Sequence, residues 1–335
     1  MITFRNLFSR IVSFENLNEA CHKAALGKRH QGDIADFLVN REPELFRLQA
    51  ELQSGTYRPG RYHTFHLQEY AKEREISAAP FRDRVVHHAI CQVIEPLFDP
   101  RFIFHSYACR KDKGTHRAIR CCQTFLRQHR YVFQADIVQY FASINHGALL
   151  SILAKKIRDG RTMNLARLIV YSWQPNAGRG VPIGNLTSQF FANLYLNELD
   201  HFVTFDLHQC HYLRYMDDFL LFGDTKEELW DCERRIRRFL DERLRLSLHQ
   251  RKTLVFPCYA GVPWLGFRVF DSVRRILPGN IRRFRRRMRR LKMSYARGDV
   301  PFEELPQAVR RWINHARHGD TYCLRKRIFS CLLLP

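Results

Sequence analysis

His211–Gly223 reads HYLRYMDDFLLFG, two short apolar and aromatic runs with the adjacent pair Asp217 and Asp218 between them. Runs of this kind on either side of a polar tip predict two strands joined as a hairpin. Two carboxylates at such a tip repel one another. Aspartate is a common turn residue, so the pair could do no more than cap a two-residue turn. The chemical alternative is a divalent cation, because hard ions such as Mg²⁺ prefer carboxylate oxygens and cancel the repulsion. The hairpin alone leaves both readings open.

A further acid lies upstream. In YVFQADIVQYF, Asp136 stands where an apolar strand ends, followed by Ile137 and Val138. A lone aspartate there is ordinarily a turn-former. Paired in space with Asp217 and Asp218, it would complete a three-carboxylate cluster of the two-metal type, with ions roughly 4 Å apart clamping a phosphoryl displacement.

The 335 residues carry 55 Lys and Arg against 33 Asp and Glu, for a formal net charge of +22 and a pI of about 10.0. With 45% apolar residues the chain can bury a large core, and its length allows two or three domains or subdomains. So large a positive excess implies a polyanionic partner, either nucleic acid or an anionic membrane. No run approaches the ~18 apolar residues of a membrane span. The first residues, MITFRNLFSRIVSF, set Arg5 and Arg10 among the apolar positions and so lack the continuous apolar segment of a secretory leader. Nucleic acid is the favoured partner, and no membrane is expected. None of the 10 cysteines forms a CxxC, Cys121 and Cys122 are too close for an ordinary disulfide, and the 16 histidines are scattered without zinc-ligand spacing. Buried, reduced thiols in a cytoplasmic protein are expected.

Residues 15–54 mix charged and apolar positions at helical spacing. After the basic, turn-rich GTYRPGRYHTF, the segment REISAAPFRDRVVHHAICQVIEPLF opens extended and becomes an amphipathic helix from about Arg82. Val85, Ala89, Val93 and Leu97 share one face of it. HSYACRKDKGTHRAIRCCQTFL reads as a basic loop leading into a helix. GNLTSQFFANLYLNELDHFV is a helix with Leu186, Phe190, Leu194, Tyr195, Leu199 and Phe202 on its buried side. Thr225 and Glu228 make a capping box for a charged helix to about Leu244, and LVFPCYAGVPWLGFRVF reads as short strands. The composition then changes sharply: residues 272–298 hold eleven Lys and Arg and no acid. A solvated helix face ordinarily mixes signs. Here like charges stack over several turns and repel, unless a polyanion lies against them. Apolar positions in the tail WINHARHGDTYCLRKRIFSCLLLP could pack these helices into a small bundle.

Together these pieces resemble the reverse transcriptase family. Asp136 with Phe141 five residues on, then VPIGNLTSQ, then YMDD, stand in the order and spacing of its palm. FRDRVVHHAI and SYACRKDKGTHRAI are similar to its finger motifs, and LHQRKT and WLGF to a later palm motif and the primer grip. The resemblance covers residues 70–270 well and the basic tail loosely. Most reverse transcriptases carry Gln-Gly where this chain has Ile183-Gly184, and Ser-Pro where it has Ser188-Gln189. That variant resembles the enzymes of diversity-generating retroelements, within the group II intron-like superfamily.

The resemblance implies an α+β right-hand polymerase: fingers and palm built of antiparallel sheet plus helices, and a small basic helical thumb. The division it suggests is an N-terminal helical extension (1–56), fingers and palm (57–270) and thumb (271–335). It implies an RNA-directed DNA polymerase using dNTPs and two Mg²⁺ ions. The template would be a template-repeat RNA, copied into error-prone, adenine-mutagenised cDNA. A small basic oligomeric accessory protein, often a pentamer, and a bacterial or phage origin come with it. Such enzymes lack RNase H and endonuclease domains, in keeping with the length of this chain.

By the same resemblance Asp136 and Asp217 bind both ions, Asp218 is more peripheral, and Ile137 offers a backbone carbonyl. Phe141 would stand under the nucleotide sugar and leave no room for a 2′-hydroxyl, although it also fits as core. Ile183 and Gly184 would lie beside the nascent base pair. Lys252 would approach the triphosphate or protonate pyrophosphate, or be a plain surface lysine. Lys72, Arg74 and Arg110 are candidates for the triphosphate or, equally, the template backbone. Trp264, Leu265 and Gly266 correspond to the primer grip, with core as the other role for Trp264, and Arg282, Arg285, Arg286 and Arg289 would meet nucleic acid. Two other classes stay open: a retron or defence-type enzyme, and a non-catalytic RNA-binding scaffold. The IGNLTSQ segment speaks against the first. Clustered carboxylates facing a polyanion speak against the second. A viral RNA polymerase fits less well, because by this resemblance Phe141 argues for deoxynucleotides.

Overall fold

The computed structural model describes residues 3–69, 72–173 and 177–330, with side chains throughout except at 67–69 and 72–74. Four N-terminal helices, Phe8–Ile11, Phe14–Ala24, Gly32–Val39 and Arg41–Ser54, precede the first strands. Leu17, Ala20, Cys21, Ile34, Leu45 and Leu48 are buried in one core with Val85, Ala89, Ile90 and Val93 of the long helix Phe81–Phe98. The helical reading of 15–54 therefore holds, with a break at Leu26–Gln31 where Gly27 takes a left-handed conformation. Between them β1 (His63–Glu69) and β2 (Lys72–Ala78) form an antiparallel hairpin. Asp83 of the long helix ties down the chain before it, accepting from the Tyr57 hydroxyl and the Gly60 amide at 2.7 Å each.

The central sheet is antiparallel in the order β4-β5-β3-β6, from β3 (Tyr131–Asp136), β4 (Tyr212–Tyr215), β5 (Asp218–Gly223) and β6 (Leu254–Pro257). Phe219, Leu220, Leu221 and Phe222 of β5 are all buried, a continuous apolar run that needs cover on both faces. It has that cover. Phe133, Ala135, Tyr212, Phe219 and Leu221 face the core shared with helix Leu186–His201. Val132, Leu213, Leu220 and Phe222 face a second core with helix Thr115–Gln128. Shortening any of the Leu or Phe side chains among these to alanine costs about 2–5 kcal/mol in transfer energy plus cavity. Helix Leu186–His201 is buried on nearly every side, not on one stripe, because the sheet and the helices Phe81–Phe98 and His146–Ala154 pack around it. At the helix Lys226–Phe239 the Thr225 hydroxyl accepts from the Glu228 amide, while the Glu228 carboxylate accepts from Gln209 and makes no reciprocal cap.

A third sheet is β7 (Val262–Trp264), β8 (Phe267–Val269) and β9 (Arg274–Ile276). Beyond it helices Pro278–Ala296, Glu304–Ala316 and Tyr322–Ser330 form the expected small bundle, with Phe284 stacked on Trp312 at 4.3 Å between centroids. Phe284, Met288, Leu305 and Ile328 join the second core, so the bundle is rooted on the same apolar mass as β5. Among the described residues no helix is long and apolar enough to cross a membrane, and the described cysteines are free thiols.

Candidate active site

Asp136 ends β3 and Asp218 begins β5, and the two stand directly opposite in the antiparallel register. Opposed residues share a face, so both carboxylates lie on the face that further along carries Val132 and Leu220. One face of the sheet is thus core at one end and acidic surface at the other. Tyr215 pairs with Asp218, which leaves Met216–Asp217 as the two-residue turn. The expected tip, Asp217 with Asp218, is therefore shifted by one residue: Asp218 already belongs to the strand. Met216 adopts φ 59°, as tight hairpin turns demand. A side chain in that region costs on the order of 1–3 kcal/mol. The Ile137 amide donates to the Asp217 carbonyl at 3.3 Å, tying the turn to the residue after Asp136.

Burial, and then the charge of Asp136, push the Asp218 carboxyl up to about 7; the Asp217 charge adds to this, while a hydrogen bond from Gln134 and the Lys252 charge oppose it. Lys252 Nζ donates to Asp136 Oδ2 at 2.6 Å. It comes from the turn Gln250–Lys252, docked where the His249 amide donates to the Asp136 carbonyl at 2.8 Å. Among the described residues no three His, Cys, Asp or Glu side chains converge as a ready-made metal site. The donor set still fits a hard divalent ion. The Asp136 and Asp218 carboxylates belong to one face, and the repulsion among the acids, visible at Asp218, is what such an ion relieves.

Phe141 is half-buried against the main core, and its carbonyl accepts from the Val181 amide at 2.9 Å, which brings it alongside the VPIGN loop. That loop is stitched to the base of the β1–β2 hairpin. The Ser77 amide donates to the Ile183 carbonyl at 3.2 Å, and Asn185 Nδ2 to the Ser77 carbonyl at 3.1 Å. Gly184 has φ +113°, and a Cβ there would stand 3.0 Å from Ile76. Gln134 Nε2 donates to the Pro263 carbonyl at 3.2 Å and so links β3 to β7. Leu265 and Gly266 form the tight turn of β7–β8, both with positive φ. A Cβ on Gly266 would meet Asn280 and His315 at 3.1 Å. Trp264 is buried core.

The Arg110 side chain is engaged within its own loop. Arg110 bonds Asp99 Oδ1 at 2.7 Å and the carbonyls of Asp99, Ile103 and Ser106, and its side chain is 7% exposed. It pins its own loop. The side chains of Lys72 and Arg74 lie outside the described residues. Arg282, Arg285, Arg286 and Arg289 are exposed on helix Pro278–Ala296 and, among the described residues, have no ion-pair partner. The residue that sequence reading passed over is Arg214, two positions before the turn. It is fully buried against Asp200, with Nε to Oδ1 at 2.7 Å and Nη2 to Oδ2 at 2.6 Å. The signal was present: strand alternation sets Arg214 on the inward face with Tyr212, and a buried charge requires a partner.

Residues 68–269 match the family described as reverse transcriptase (RNA-dependent DNA polymerase). The chain belongs to that family. Protein YkfC of Escherichia coli is 26% identical over 274 residues, 68% of this chain and 71% of that protein. The group II intron-encoded protein LtrA of Lactococcus lactis is 27% identical over 203 residues, 57% of this chain but only 33% of LtrA. A Candida tropicalis apo telomerase truncated from its C-terminal domain superposes with a TM-score of 0.50 at 11% identity, over 68% of this chain and 58% of that one. The likeness is one of fold, an α+β polymerase architecture.

Proposed function

We propose that the chain copies RNA into DNA at the cluster of Asp136, Asp217 and Asp218. The observation that carries this is the register placing Asp136 opposite Asp218, with Asp217 in the turn between β4 and β5. These three carboxylates and the Ile137 carbonyl would hold two Mg²⁺ ions. When bound, the ions supply charge neutralisation for phosphoryl transfer. The chain's own residues do the rest. Phe141 closes the space beneath the sugar against a 2′-hydroxyl. Lys252 carries an ammonium proton beside Asp136, where departing pyrophosphate can take it. Leu265 and Gly266 seat the primer strand, and the arginines of helix Pro278–Ala296 neutralise backbone phosphates. Asp217→Asn removes one shared ligand while keeping shape. Primer extension on an RNA template with Mg²⁺ should be abolished with the melting temperature unchanged. Extension at the wild-type rate would sink the assignment.

Within the family the diversity-generating class is the best reading. Its support is Ile183-Gly184 in a loop held against β2, with Ser188-Gln189 in the first turn of helix Leu186–His201. Ile183 has no donor to offer near the nucleotide. A hydrogen bond is worth about 0.5–1.5 kcal/mol net, and ~1.4 kcal/mol is tenfold in rate. Correct pairs lose most from its absence, since they alone fit its geometry, so discrimination falls. Ile183→Gln should raise fidelity, chiefly opposite template adenine. Sequencing cDNA made by both enzymes from one adenine-rich RNA tests this, and equal adenine misincorporation places the error mechanism elsewhere. A template-repeat RNA and a small basic accessory protein belong to the same reading.

A further inference from the structure

We propose that Arg214 is the positioning residue of the catalytic turn: anchored on Asp200, it holds the Met216 carbonyl and thereby aims Asp217 and Asp218. This rests on the carboxylate cluster being the site of polymerisation.

Four observations converge on it. Arg214 Nη1 donates to the Met216 carbonyl at 3.0 Å, and Met216 is the turn residue with φ 59°. A backbone in that region needs to be held by its surroundings, and this contact reaches the strained residue itself. The guanidinium is held in turn. Beside its two bonds to Asp200, it donates to Asn193 Oδ1 and Ser106 Oγ at 3.2 Å each. Asp200 also accepts from the Tyr212 hydroxyl at 2.8 Å. Arg214 and Asp200 are both fully buried. Asp200 and Asn193 come from helix Leu186–His201, so the turn is referenced to the most enclosed helix of the palm. Lastly, the backbone of Arg214 is itself fixed, its amide donating to the His105 carbonyl and its carbonyl accepting from the Tyr107 amide, both at 3.0 Å.

A planar fork suits this task and an ammonium does not. Arginine reaches both oxygens of Asp200 and the Met216 carbonyl at once, in fixed directions. Lysine could reach the carboxylate but would not hold three acceptors in a plane. The role is one of aim, so removing it should lower the rate of the chemical step and leave nucleotide capture alone.

Two variants test this. The first, Arg214→Lys, keeps the buried charge pair. The second, Arg214→Met with Asp200→Leu and Tyr212→Phe, replaces the polar group by apolar volume, which buried ion pairs commonly tolerate. Each is measured for kcat and KM for dNTP, for Mn²⁺ binding by electron paramagnetic resonance, for primer–template affinity and for melting temperature, with Asp217→Asn run in parallel. The expected result is a kcat at least tenfold lower in both, KM and primer–template affinity within twofold, and weaker Mn²⁺ binding. The loss should persist in the triple variant even where its melting temperature matches wild type. Wild-type kcat and Mn²⁺ binding in a triple variant that melts normally would overturn the proposal, as would a rate that simply tracks stability across the set. Should the triple variant not fold, an Arg214→Lys enzyme with wild-type kcat overturns it alone. An active Asp217→Asn enzyme would instead bring down the underlying assignment of the carboxylates.

Discussion

At the tip of the central sheet the charges are few, half-buried and answered from within: Lys252 stands on Asp136, Gln134 on Asp218, Arg214 behind the turn. On helix Pro278–Ala296 the charges are many and exposed. Arg282, Arg285, Arg286, Arg287, Arg289 and Arg290 have no ion-pair partner among the described residues. The difference is one of purpose. Where the chain supplies the partner, hydrogen bonds fix the geometry. Where it supplies none, it leaves a field that any polyanion of the right width can occupy. The first arrangement suits chemistry and the second suits a substrate that must slide.

The sharpest way to break this contrast is to alter one side and read the other. Asp136→Asn should cost several kcal/mol of transition-state stabilisation, on the order of a thousandfold in primer extension. RNA affinity should stay within twofold, and a parallel loss of affinity would show that the two regions are not separable. Reversing Arg285, Arg286 and Arg289 to Glu should do the opposite. The log–log salt slope for RNA binding should fall by roughly 0.7–0.9 for each lost phosphate contact, with the rate at saturating template retained. A slope identical to wild type would mean that this face meets solvent or protein. Phe141→Ala is a smaller change, in selectivity: opening the space under the sugar should relax the preference for dNTP over rNTP by roughly 10–200-fold. An unchanged ratio on one primer removes Phe141 from that role.

The smallest effect concerns stability. His87 is buried in helix Phe81–Phe98, and burial first, then His88 and Arg84, lower its pKa from 6.5 to about 3. The folded state resists a proton that the unfolded chain accepts. The contribution is therefore intact above pH 6.5 and drains away as pH falls from there toward 3. Melting temperature should drop between pH 7 and pH 5, and His87→Leu should flatten that drop. An equal slope in the variant would place the acid sensitivity at other groups.

What the sequence made legible was local. Asp136, Asp217, Asp218 and the arginine run announce themselves by type and spacing. What it hid was pairing across distance. Arg110 sits in a basic loop that reads as phosphate-binding, yet Asp99, eleven residues earlier, claims it. The turn was misplaced by one residue because only the register with Asp136 assigns Asp218 to a strand. Trp264 shares its motif with the turn Leu265–Gly266 but ends in the core, since alternation along β7 sends it inward. Helix Leu186–His201 looked amphipathic because sequence shows one helix at a time, whereas its burial is set by everything packed around it.

The Arg214–Asp200 pair also constrains the routes by which this protein can diverge. Removing either partner alone leaves a buried, uncompensated charge, a loss of about 3–5 kcal/mol from a typical total of ~5–15 kcal/mol. Replacing both together with apolar residues restores packing. Positions 200 and 214 are therefore joined in descent: lineages that keep the pair have no easy single step away from it, and lineages that lost it should have lost both members at nearly the same time.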